Sequence, residues 1–335
     1  MNSSTDSTRS FCVPNDLAQR YLRVNAGVTL KPATVSSYDS HLTAYVTQLH
    51  DQGLSVVSAG INDVLRFIET CVRRGNRQST IAGKLTTIAE LYRFIRLRTD
   101  AGDDLQLDPL QFREIDLDDY NTPPTMEREA LSKDEIRLLF DAFESYRNRL
   151  MAIVGVETGL RNSDIRNLRV EDVADDHLHV HDPKNSKPYD VPISKQLSFE
   201  LDVWFKHHRP GFAAGSQSPY VFPSQHGNRL TNNGSLNTVI KDAASRAGIQ
   251  EVIGQSPLSD SEQEVLGTEK RYREWKRVTV HTLRHSYITL LEEAGVSLPY
   301  RQLVANHSNP ETTLRYSHGD GDPFGDIHNR YDPPR

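Results

Sequence analysis

The stretch HLHVHDPKNSKPYDVPI, His177 to Ile193, decides how this chain must be read. From His177 to His181 polar and apolar residues alternate, and Tyr189 to Ile193 alternate again. Period-2 patterning around a turn-forming Asp182–Pro188 predicts a β-hairpin. Almost everywhere else the apolar residues recur at helical spacing. The fold class expected is therefore mainly α with a small β-hairpin or sheet (α+β).

Working outward toward the C-terminus, helices are expected at Gln196 to His207, Ser235 to Ala247, His281 to Ala294, Pro299 to Ala305 and Pro310 to Ser317. The Gln250–Arg277 stretch is polar and charged, with no readable period. Working toward the N-terminus, Ser163 to Leu168 and Arg147 to Glu157 read as helices separated by Gly159. Ser132 with Glu135 forms a capping box ahead of Ile136, Leu138, Leu139 and Phe140. Further back, four helical patterns with short connections predict a small bundle: Asn15 to Ala26, Thr34 to Asp51, then the stripes Ile61-Val64-Leu65-Ile68-Val72 and Ile81-Leu85-Ile88-Leu91-Tyr92-Ile95. The organisation expected is a disordered lead over 1–12, a helical domain over 13–100, a linker over 101–129, a second domain over 130–318 and an extended tail over 319–335.

The chain has 335 residues, enough for two cores. No apolar run approaches the roughly 20 residues of a membrane span, and the polar N-terminus MNSSTDSTRS is unlike a signal peptide, so a cytoplasmic, nucleoid-associated location is expected. Cys12 and Cys71 define neither a disulfide framework nor a zinc site. The net charge of −6 hides an uneven distribution. Between Arg66 and Arg98 eight basic residues face only Glu69 and Glu90, whereas Thr99–Tyr120 holds eight acids against Arg113. A basic block followed by an acidic one reads as a phosphate-facing surface and then a solvated linker; two solvated faces are the alternative.

Four separated segments carry groups suited to phosphate chemistry: ETGLRNSDIRNL (Glu157–Leu168), PKNSK (Pro183–Lys187), HTLRH (His281–His285) and NHSNPETTLRYSH (Asn306–His318). His281 and Arg284 are one helical turn apart. Together these segments resemble the tyrosine recombinase, or phage integrase, family, whose signature in chain order is Arg, Lys, His-x-x-Arg, His and Tyr. The matching residues are Arg161, Lys184, His281, Arg284, His307 and Tyr316. The resemblance covers Ser132 to His318, and the helical region before it is similar to the family's core-binding, DNA-clamping domain. The stretch YRNRLMAIVGVETGLRNSDIRNLRVEDV, with 10 Lys against 29 Arg and 27 Asp against 18 Glu, resembles integrases of halophilic archaea and their viruses or plasmids.

The resemblance implies a site-specific recombinase that cuts and rejoins double-stranded DNA through a 3′-phosphotyrosyl link, for integration and excision of a virus, provirus or plasmid. A chromosome-dimer resolvase of the same family, an inactive DNA-binding accessory protein and a topoisomerase-like enzyme are the alternatives. It implies a homodimer on each site, a homotetramer in synapsis and a possible directionality factor. It also assigns roles. Arg161 and Arg284 would clamp the non-bridging oxygens of the phosphate, an arrangement guanidinium forks suit. His307 would add a donor, His281 would be the base for the Tyr316 nucleophile, and Lys184 would protonate the leaving 5′ oxygen; Lys187 is the other candidate for that last role. No cofactor is implied, and there is no P-loop. Asn306 stands where the family commonly has Gly, and Asn tolerates the same left-handed backbone. Asp164 reads as structural, holding Arg161 or capping its helix. His177, His179 and His181 would share one sheet face. A metal site there needs helpers from elsewhere in the chain, so the strand is read as solvated or DNA-facing and no metal is assigned.

Overall fold

The computed structural model describes residues 10–124, 128–181, 188–212, 217–231, 233–258, 263, 267–305 and 323–335. The chain forms two compact units. One comprises Met1–Thr125 with Ser256–Arg273, the other Met126–Gln255 with Glu274–Arg335. Among the described residues secondary structure is mainly helical, with two small two-stranded sheets. No helix among the described residues is long and apolar enough to cross a membrane.

The first unit is built on α1 (Asp16–Asn25), α2 (Pro32–Asp51), α3 (Ile61–Arg73) and α4 (Gln78–Arg98). Pro32 opens α2 at its first position, where its missing N–H costs no hydrogen bond. The apolar stripes meet in one core around Leu42, Tyr45, Phe67, Ile88 and Tyr92. Inside it the Tyr45 and Tyr92 hydroxyls pair at 2.9 Å, and Tyr92 donates onward to the Val56 carbonyl at 3.0 Å, so neither buried phenol is left unsatisfied. Arg66, Arg73, Arg74, Arg93, Arg96 and Arg98 all lie exposed, on the faces the stripes leave outward.

Two expectations change here. The lead is anchored from Phe11 onward: Phe11 and Val13 are buried, and the Cys12 and Val13 N–H groups both donate to the Asp39 carboxylate at 3.0 Å. Residues 101–120, expected to be linker, carry the 3₁₀ turns Asp100–Gly102 and Pro109–Glu114. They lay Leu105, Leu107, Phe112, Ile115 and Leu117 on the same core. The acidic residues mask this set because its apolar members follow neither helical nor strand spacing.

The second unit is organised around α6 (Tyr146–Thr158), which follows α5 (Lys133–Asp141). Every residue of α6 from Leu150 to Thr158 is buried, as expected of a helix apolar on all sides. Around it lie α7 (Asn162–Asn167), the strands β1 (His177–Val180) and β2 (Tyr189–Pro192), α8 (Lys195–Val203) and α9 (Asn233–Arg246), then α10 (Val280–Glu293), α11 (Leu298–Ala305) and α12 (Pro323–Arg330). β1 and β2 pair antiparallel with His179 opposite Asp190. Leu178, Val180 and Val191 turn into the core, and His177 and His179 lie half-exposed on the other face.

The Gln250–Arg277 stretch forms β3 (Val252–Pro257) and β4 (Tyr272–Lys276), paired in a second sheet. No residue of either strand is buried, which is why no alternation is readable. The described part of the tail, 323–335, opens with α12, which buries Ile327, and Tyr331 just past the helix end is buried too. The expected helix Pro310–Ser317 lies outside the described residues.

Candidate active site

Two glycines on α6 determine how the site is assembled. Gly155 and Gly159 are four residues apart, and so are Leu283 and Tyr287 on α10. A Cβ at Gly155 would lie 3.2 Å from Leu283 Cδ1, and one at Gly159 only 2.5 Å from Tyr287 Cδ1. The helices thus approach with a glycine under each large side chain. Gly159 has φ +62° and ends α6 in the left-handed conformation, which turns the chain into Leu160 and Arg161.

Arg161 is the N-cap of α7. Arg284, one turn into α10 and buried, donates from Nη1 to the carbonyl of Gly159. The turn that presents Arg161 is thereby tied to the helix bearing the His-x-x-Arg pair. Burial, and next the charge of Arg161, push the Arg284 guanidinium down from its ordinary value, while Tyr189 and Asp164 act the other way. Two cations held together in a partly desolvated place form a receptor for an anion.

His281 stands exposed at the start of α10. Its imidazole pKa is lowered, first by partial enclosure and then by Arg128, Arg284, His285 and Arg161. A ring kept neutral among cations is one able to accept a proton. Asp164, the third residue after Arg161, is buried; Ser163 donates to its Oδ1 at 3.0 Å, and its backbone N–H bonds the Arg161 carbonyl at 2.9 Å. Burial raises the Asp164 carboxyl, against the opposing pull of Ser163 and Arg161.

The structure therefore brings together Arg161, His281 and Arg284, three of the six expected residues. Lys184, His307 and Tyr316 lie outside the described residues. Sequence reasoning missed Arg128 and Tyr189 as neighbours of the site. Arg128 falls in a stretch read as linker, and Tyr189 reads only as a strand residue.

A mainly helical unit with paired arginines and a cation-flanked histidine offers the chemistry to hold a phosphate-like anion. Residues 129–321 match the phage integrase family, and residues 19–99 match the phage integrase N-terminal SAM-like domain. The chain belongs to the phage integrase family, the tyrosine-type site-specific DNA recombinases. It is 27% identical over 324 residues to the tyrosine recombinase XerD of Oceanobacillus iheyensis, covering 93% of this chain and 96% of that protein. It is 24% identical over 279 residues to the tyrosine recombinase XerA of Pyrococcus horikoshii, covering 82% and 80%. Among solved structures it shares its fold with a lambda integrase dimer bound to a COC′ core site (TM-score 0.64, 17% identity, 91% of this chain and 97% of that one).

Proposed function

We propose that this chain cuts and rejoins DNA at a specific site with Tyr316 as nucleophile. The observation that carries the reading is the convergence of Arg161, His281 and Arg284, with Arg284 bonded to the turn that presents Arg161. The Tyr316 Oη attacks the phosphorus and the P–O5′ bond breaks. The phenolic proton passes to His281, and the departing 5′ oxygen takes a proton from Lys184. Arg161, Arg284 and His307 stabilise the charge that develops on the non-bridging oxygens, the term that dominates catalysis of this kind. The 3′-phosphotyrosyl bond conserves the energy of the broken linkage, so rejoining is the reverse attack by a 5′ hydroxyl.

The test is covalent trapping. Wild type and Tyr316→Phe are incubated with nicked duplex fragments of the source DNA, and an SDS-resistant adduct is isolated and its 3′ end sequenced. An adduct with wild type alone supports the reading. Clear DNA binding with no adduct at low or high salt overturns it in favour of an accessory DNA-binding protein.

Homodimeric binding and tetrameric synapsis are supported by lambda integrase, solved as a dimer on a core site and as a tetramer on a Holliday junction. Integration and excision of a virus, provirus or plasmid, with a directionality factor as partner, is the biological role we favour. Resolution of chromosome dimers is a second reading, favoured by the near end-to-end match to XerD. The sequenced adduct separates the two, since one target borders a mobile element and the other does not.

A halophilic archaeal source and a cytoplasmic, nucleoid-associated location complete the proposal. The scarcity of lysine and the excess of aspartate support the source. Phosphate contacts weaken steeply with salt, so site affinity that holds from low to molar salt would support it and a steep loss would count against it.

A further inference from the structure

A second cluster of chemically capable side chains lies beside the anion-holding site. The 3₁₀ turn Val170–Asp172 leads into β1. Glu171, Asp172 and His181 each offer one ligand atom, and all three atoms lie within 4.8 Å of one another. They line a cavity of about 330 Å³, to which His179 and Asp164 also contribute.

Asp172 is the anchor. It is 5% exposed, and its Oδ2 accepts the Arg169 N–H at 2.7 Å. Its Oδ1 accepts no hydrogen bond among the described residues, yet lies against Nε2 of His181 as an ion-pair contact. The carboxylate oxygen and the imidazole nitrogen thus converge face to face, close enough to share a proton. A metal ion that took the place of that proton would satisfy the buried carboxylate equally, with the exposed His181 ring drawing back to let each ligand atom sit roughly 2 Å from the ion.

The surroundings hold the ligands in place. Nδ1 of His179 pairs with Asp190 Oδ1 on β2 at 2.5 Å. The His179 ring meets that of His181 edge-on, with centroids 4.4 Å apart, and so fixes the orientation of the liganding imidazole, a role neighbouring groups commonly play at metal centres. Glu171 is paired with Arg169 at 3.1 Å on the exposed side, an exchangeable partner that a doubly charged ion outcompetes.

We propose that Glu171, Asp172 and His181 bind a single divalent transition-metal ion of the Zn²⁺ type. One imidazole with two carboxylates suits such an ion better than Mg²⁺ or Ca²⁺, which take oxygen ligands. The ion would join the turn after α7 to the end of β1, three residues before Lys184 in sequence. The alternating histidines contribute one ligand and one positioning ring, and the helpers come from the preceding turn.

The test is a Zn²⁺ titration of the full chain against a chromophoric chelator, with Co²⁺ absorption bands as an independent reading of the ligand field. One equivalent should bind. His181→Ala, which alters a half-exposed side chain, should weaken affinity about a hundredfold, and Asp172→Asn, which keeps the capping shape, at least about tenfold. His177→Ala and His281→Ala should bind like wild type, and circular dichroism confirms that each variant folds. Absence of stoichiometric binding overturns the proposal. So does unchanged affinity in His181→Ala, or loss in His281→Ala alone, which would place the metal at the active-site histidine.

Discussion

Glu157 and Arg335 form an ion pair inside the second unit, joining the last turn of α6 to the segment after α12. Ser194 also donates to Glu157 Oε2, at 2.9 Å. Burial nonetheless raises the Glu157 carboxyl from 4.5 to about 7, since the pull of Arg335 only partly offsets desolvation.

That relationship has a pH signature. A carboxyl whose folded pKa exceeds its unfolded value stabilises the fold fully below pH 4.5, and the contribution is lost as pH rises through about 7. The loss amounts to about 3 kcal/mol. Glu157→Gln should therefore flatten the fall in stability between pH 5 and 8, read by urea unfolding at several pH values. Arg335→Ala should push the carboxyl higher still and extend the fall to more alkaline pH. Parallel curves for wild type and Glu157→Gln would refute the assignment.

The two glycines of α6 should respond differently to alanine. Gly159→Ala forces a left-handed backbone on a residue with a Cβ and drives that atom to within 2.5 Å of the fully buried Tyr287 ring. A loss of about 2–4 kcal/mol is expected. Gly155→Ala meets Leu283 Cδ1 at 3.2 Å, with Ile165 Cδ1 and Leu283 Cβ at an ordinary contact distance of 3.6 Å, and gains about 1 kcal/mol of helix propensity, so its stability should stay within about 1 kcal/mol of wild type. Thermal melts of both variants decide this.

Arg284→Lys keeps the charge but loses the fork that both holds Gly159 and faces the anion. Single-turnover cleavage of a nicked site should fall about 10²- to 10³-fold. DNA affinity, which rests on many phosphate contacts, should change far less. Equal losses of binding and cleavage would remove Arg284 from the chemistry.

His281 should set the acid limb of cleavage. Its lowered pKa keeps the ring neutral below the ordinary 6.5, so the plateau of the rate should extend to pH values below 6.5 before it falls. In Arg128→Ala, one of the cations opposing protonation is gone, and the limb should move toward higher pH. A limb that ignores this substitution would argue against His281 as the base.

Much of this protein was readable from residue order alone. Helical period located every long helix from α1 to α10, because an amphipathic face is a local signal. The strand period at His177–Ile193 located the first sheet for the same reason. The family signature picked out Arg161, His281 and Arg284, which the fold brings together. Other features have no local signature. The exposed β3–β4 pair shows no alternation, the apolar residues of 101–120 follow no period, and α12 is concealed in a segment rich in Gly, Asp and Pro. Each is fixed by what it packs against. The same holds for function: the order Arg, His-x-x-Arg is written in the chain, but the bond from Arg284 to Gly159 depends on two helices meeting over two glycines. The histidines of β1 are likewise plain in the sequence, whereas the buried Asp172 that faces one of them is placed there only by the turn before the strand. Sequence determines which groups are present and which local periods they obey; tertiary packing decides which charges share a desolvated space, and that sharing sets their chemistry.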